Sequence, residues 1–157
     1  MRRDYFALAV DNIDWVDADG DPREPQVRID FQGPEDSLRE RLVGSDEELL
    51  DAAETDVAFR LQAPLDRGGA TGVVSVTNRF TGDFILELNE EADDVMRFID
   101  AARAYGEQSD AESGRYRVEL SINGEPLVTY EKETFLVYDA DGNLLRSKSL
   151  IPSGVEL

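Results

Sequence analysis

Two acidic segments carry the residue types of a calcium loop: Asp17-Ala18-Asp19-Gly20-Asp21 and Asp139-Ala140-Asp141-Gly142-Asn143. An EF-hand loop needs acids at positions 1, 3 and 5, glycine at 6 and a bidentate glutamate at 12. Counted from Asp139, the last two positions fall on Leu144 and Leu150; counted from Asp17, they fall on Pro22 and Arg28. Neither register closes a cation shell. Both segments therefore read as turns, where Asp and Gly accept the required backbone angles. A third cluster, Glu87, Glu90, Glu91, Asp93 and Asp94, has enough carboxylate to hold Mg²⁺. Its place at an expected helix start gives a plainer account, because acids there meet the positive end of the helix dipole. Gly68-Gly69-Ala70-Thr71-Gly72 precedes a strand and lacks the Gly-Lys-Ser/Thr ending of a phosphate loop, so it reads as a flexible link.

Other chemistry is excluded by absence. With no histidine and no cysteine, imidazole bases, thiol nucleophiles, disulfides and the usual zinc sites all drop out. No serine sits in Gly-x-Ser-x-Gly, and no histidine exists to activate one. Among 35 acids, chance carboxylate pairs suited to acid/base work are unavoidable, so no pair can be singled out from spacing. The sequence accordingly assigns no catalytic, cofactor-binding or metal-ligating residue. Four residues are candidates for contact with an acidic partner or an anionic ligand. Arg79 and Asp83 flank an expected hairpin tip, and Arg115 and Arg117 share the polar face of one expected strand. Cross-strand pairing of the arginines with Glu131 and Glu119 is the plainer alternative. Trp15, just ahead of an acidic loop, is expected to close the core.

The charge is extreme: 35 Asp and Glu against 16 Lys and Arg give −19 and a pI near 4.2. Only Lys132 and Lys148 are lysines. A globule of this mass exposes roughly 7,900 Å², which sets carboxylates about 15 Å apart. Each pair then repels by only about 0.3 kcal/mol in water, but every acid has several neighbours. The sum rivals a stability of ~5–15 kcal/mol. In molar salt the screening length falls to about 3 Å and the repulsion fades. The composition fits a surface made for concentrated salt, and the scarcity of long apolar lysine stems agrees. Nucleic-acid binding is not expected, for there is no basic stripe. No apolar run approaches the ~18 residues of a membrane span. Arg2-Arg3 lacks the apolar region of an export signal behind it, and no Asn-x-Ser/Thr sequon occurs, so a cytoplasmic protein is expected.

These residues need a scaffold, and Leu, Ile, Val and Phe, 42 of 157 residues, suffice for a core. A single domain over residues 1–157 is expected. Strands are expected at Tyr5–Val10, Val27–Phe31 and Val57–Leu61, and a hairpin at Gly72–Arg79 with Asp83–Leu88. Its Phe80-Thr81-Gly82 connection puts glycine where a left-handed residue is needed. Tyr116 to Ile122 alternates in the cleanest period of two, and Asn123-Gly124 reads as a type I′ turn setting Leu120 opposite Leu127 and Val118 opposite Thr129. Phe135–Tyr138 and Leu144–Leu150 form a last hairpin, and the tail Ile151–Leu157 is apolar enough to dock. One short helix follows Gly33-Pro34, carrying Leu38, Leu42 and Val43. Ser45-Asp46-Glu47-Glu48 suggests another through Leu49, Leu50 and Ala53. A third runs from an Asn89 cap to Gly106, with Val95, Ile99, Ala102 and Tyr105 on its apolar face. The fold class expected is α+β: a mainly antiparallel sheet of about eight strands with two or three helices packed on one face.

Three stretches carry a wider resemblance: Met1 to Phe6, Thr81 to Asn89, and Phe135 to Leu145 continuing through Ser149 to Leu157. In these, and over nearly its full length, the chain resembles a set of small acidic uncharacterised proteins of halophilic archaea. The resemblance implies a salt-adapted setting and carries over no activity or catalytic residue. The function expected from the residues is a non-enzymatic protein-binding or assembly module, its partner another protein or a second copy of itself. Such a module predicts an uncovered apolar patch or an open edge strand. The alternative, a small-molecule-binding protein or carboxylate/Mg²⁺ enzyme, predicts a pocket of about 300 Å³ or more between sheet and helices.

Overall fold

The computed structural model describes residues 5–16, 20–44, 47–64, 68–108 and 114–151. Within them the chain runs β1 (Phe6–Asp11), β2 (Gln26–Phe31), α1 (Glu35–Arg41), β3 (Thr55–Leu61), β4 (Thr71–Asn78), β5 (Phe84–Glu91), α2 (Ala92–Gln108), β6 (Tyr116–Ile122), β7 (Glu125–Lys132) and β8 (Leu136–Tyr138). Short 3₁₀ turns occupy Asp14–Val16, Ala52–Glu54 and Arg146–Lys148. The class is α+β, with eight strands among the described residues.

The strands do not make one antiparallel sheet. They form two mixed sheets, ordered β1-β2-β6-β7 and β5-β4-β3-β8. β2 lies parallel to β6, Val27 beside Val118 and Ile29 beside Leu120, and β3 lies parallel to β8. Hairpin signals report only neighbours in sequence. Parallel pairing needs a long crossover, and here the chain between β2 and β6 builds much of the second sheet and both helices.

Nor do helices cover one face. The inner faces cover each other: Val27, Ile29 and Val118 look across a small cavity of about 50 Å³ at Val57, Val74 and Val76. Alternation within each strand supplies this, β6 reading buried at Tyr116, Val118, Leu120 and Ile122. α2 closes one side, Val95 and Phe98 lining the same cavity, with the Phe98 ring edge-on to Tyr116 at 5.5 Å. α1 buries Leu38, and Leu42 just past its end is buried as well.

Several local expectations change. The helix after Gly44 is absent; Val43 instead bridges Leu49, and Leu50 N donates to Leu42 O. Leu50 is buried by this return, and the capping box lies farther on, between Asp51 and Glu54. Ser45 and Asp46 lie outside the described residues. Among the described residues there are thus two α-helices, fewer than the upper expectation. Asn89 is no cap, because β5 continues to Glu91 and runs directly into α2, which passes through buried Gly106 to Gln108.

Asn123 and Gly124 do adopt the type I′ turn, φ 48° and 86°. The register beyond it slips by one, placing Leu120 opposite Val128 and Val118 opposite Tyr130. The irregularity sits where Ser121 faces Pro126, a residue with no N–H to give the ladder. A second bulge, after Val76, leaves both Ile85 and Leu86 buried and turns Phe84 outward. Gly72 is not simply a flexible link: a Cβ there would collide with Arg60 O and stand 2.6 Å from the Phe59 ring. Residues 152–157, most of the apolar tail, lie outside the described residues.

Candidate functional site

The four arginine and aspartate candidates do not converge. Arg79 grips Asp56 Oδ1 through Nε (3.1 Å) and Nη2 (2.9 Å) and leaves Asp83 alone. Asp83 is an exposed turn residue whose N–H donates to Thr81 Oγ1, beside left-handed Gly82 (φ 76°). Arg115 and Arg117 stand on the outer face of the other sheet. There Arg115 meets Glu133 at 3.7 Å, and Arg117 Nε donates to Glu131 Oε1 at 2.7 Å. Cross-strand pairing, the plainer account, describes Arg117 and its opposite number Glu131.

One partner escaped the sequence reading. Glu24, at the end of the acidic loop and next to buried Pro25, reaches Arg117 Nε at 3.5 Å with its side chain 18% exposed. Burial, a hydrogen bond to Glu131 and the Glu131 charge raise the Glu24 pKa to about 7. For Glu131, burial pulls upward, but bonds from Glu24 and Arg117 outweigh it and hold the carboxyl below its ordinary value. The result is an acid–carboxylate pair sharing a proton near neutrality, straddled by one guanidinium. No spacing rule links residue 24 to residue 131; β2 and β6 lying parallel brings them together.

The acidic motifs resolve into structure. Asp139 Oδ1 accepts from the N–H groups of Asp141 and Asn143, both at 2.9 Å, and Gly142 takes φ 87°, which makes a turn. Asp17 to Asp19 lie outside the described residues. Glu90 points inward at the mouth of the small cavity, its pKa raised by burial and by Asp94 and Glu91. Among the described residues no group of three or more acids is placed to hold a metal ion. Trp15 packs over Gly20 and donates its indole N–H to Asn12 O, closing its own loop rather than the main core.

The inner cavity, about 50 Å³, falls far short of the pocket that a ligand between sheet and helices would need. The larger hollow is outside, on the outer face of the β5-β4-β3-β8 sheet. It measures about 660 Å³. Ala58, Val73, Ser75 and Leu136 line it, with Tyr138 and Phe84 beside them. Its charges offset one another: Asp56 is taken by Arg79, and the hollow is lined by both Arg60, which donates to Ala140 O at 3.2 Å, and Glu87. Phe84 is 49% exposed and Phe80, on the adjoining turn, 74% exposed.

A model described as a family of unknown function, DUF5793, matches residues 1–157. The chain belongs to the DUF5793 family. No curated protein and no solved structure matches it. No helix among the described residues is long and apolar enough to cross a membrane.

Proposed function

We propose that this DUF5793 chain is a non-enzymatic binding module of a salt-rich cytoplasm, a single domain whose protein partner seats on the outer face of the β5-β4-β3-β8 sheet. The hollow of about 660 Å³ there carries the reading. Its small residues, Ala58 and Ser75, leave room above the sheet, and Phe84 supplies an apolar anchor that the domain itself does not use. On a chain of −19 this locally neutral surface is where a partner meets least repulsion.

The test pairs the wild-type chain with Ala58→Arg, which fills the hollow, in affinity capture from native cells at their working salt. The reading expects a protein held by the wild type and lost from the variant, both showing the same circular dichroism. Identical captures by the two would overturn it.

Carboxylate chemistry is the second reading, favoured by Glu24, whose proton is poised near pH 7 beside Glu131. Loss of a measurable hydrolytic or isomerising activity in Glu24→Gln, with the fold intact, would support that reading over the first.

A further inference from the structure

An open sheet edge invites another strand, and proteins guard such edges with proline, bulges, inward charges or covering segments. Three of the four edges here are guarded. β7 carries Pro126, a bulge, and Lys132 turned inward. β5 is bulged and packs against both helices, with Arg41 bonded to Phe84 O. β8 has three residues, and bridges from Leu144 and Leu150 flank it.

Among the described residues β1 has none of these. Its register on β2 is unbroken from Phe6 to Asp11, and Phe6-Ala7-Leu8-Ala9-Val10 holds neither charge nor proline. Asp11, at its end, is neutralised by Arg28 at 2.8 Å. The hydrogen-bond phase is fixed by Gln32 N donating to Tyr5 O, a directly opposed pair. Ala7, Ala9 and Asp11 therefore bond to β2, and the N–H and C=O groups of Phe6, Leu8 and Val10 point away from it. Among the described residues these groups meet no partner.

From this edge we infer that β1 pairs antiparallel with β1 of a second copy, about a two-fold axis through Leu8. The outward groups select that register. An axis normal to the sheet keeps inner faces together, so residues of like parity must oppose. Leu8 then faces its own counterpart and Phe6 faces Val10, giving about six hydrogen bonds by the antiparallel rule. A centre at Ala7 or Ala9 leaves part of the outward set unpaired. Ala7 opposite Ala9 on the outer face brings no charge into the contact. The acids near the start of α2, Glu90 and Asp94, line the cavity with Leu8 and Val10, so like charge opposes the approach and salt strengthens the pairing. This inference concerns a different surface from the proposed docking hollow and stands without it.

Sedimentation equilibrium of the full chain in 0.2 M and 3 M KCl, with amide exchange followed by NMR, tests it. The expected result is a monomer–dimer equilibrium favoured by salt, in which the amides of Phe6, Leu8 and Val10 gain protection as concentration rises. Ala7, Ala9 and Asp11 should be protected throughout. Val10→Pro, tolerable because that N–H faces outward, should keep the monomer folded and weaken dimerisation about 30-fold through two lost bonds. A monomer at every salt, a dimer whose Phe6, Leu8 and Val10 amides stay unprotected, or a β1 edge that accepts only a foreign strand would each overturn the inference.

Discussion

Arg117 Nε stands 2.7 Å from Glu131 and 3.5 Å from Glu24, so a single guanidinium edge bridges a carboxylate and the acid that shares its proton. The pair joins the loop before β2 to β7, far apart in sequence. Its behaviour with pH follows from the raised pKa of Glu24.

The folded pKa of Glu24, about 7, lies above its ordinary 4.5, so the native state holds a proton that the unfolded chain has already released. The contribution is fully present below pH 4.5 and is lost as pH rises through 7. Glu24→Gln should remove this slope and stabilise the protein at pH 8 by about 1–3 kcal/mol. Urea unfolding of both proteins between pH 5 and pH 8 checks it; parallel curves would refute the shared proton.

Lys132 has the opposite sign. Its ammonium is buried and donates to Ala52 O and Thr55 O, both at 2.7 Å, tying the chain before β3 to β7. Burial pushes its pKa below 10.5 despite the nearby Asp56, so the unfolded chain binds more protons in the window just under 10.5. Stability from this group rises with pH there. Lys132→Met should flatten that rise and cost about 1–3 kcal/mol at pH 7, because both carbonyls lose a charged donor. Chemical denaturation at pH 7 and pH 10 measures both effects.

Much of this scaffold was legible in the residues. Strict alternation located β6, and Asn123-Gly124 and Gly82 located two turns, because those signals are local. The parallel pairings of β2 with β6 and β3 with β8 were not, since no local signal encodes a distant neighbour. The Pro126 bulge moved Leu120 from Leu127 to Val128 for a reason visible only once Ser121 faced it. Ser45 to Ala53 has a helix start signal, but Leu50 is buried by returning to Leu42, and tertiary packing overrode the propensity. At the candidate site, the spacing of Arg115 and Arg117 gave their common face, whereas Glu24 joined them only through the fold.

Gly72 is a packing residue. Gly72→Ala drives a methyl into Arg60 O and the Phe59 ring and should cost about 1–3 kcal/mol or more. Gly68→Ala, where a Cβ meets nothing within 4 Å, should shift the melting midpoint far less. Calorimetry of the two variants in one buffer separates the close approach from general loop flexibility.

The proposal is that the carboxylates form a coat for concentrated salt while contact is left to the charge-balanced outer face of the β5-β4-β3-β8 sheet. Unfolding free energy measured from 0.1 to 3 M KCl tests it most directly. The account predicts a rise of several kcal/mol that levels off as the charges become screened. Stability unchanged across that range, or full stability restored in dilute buffer by micromolar Mg²⁺ or Ca²⁺, would contradict it.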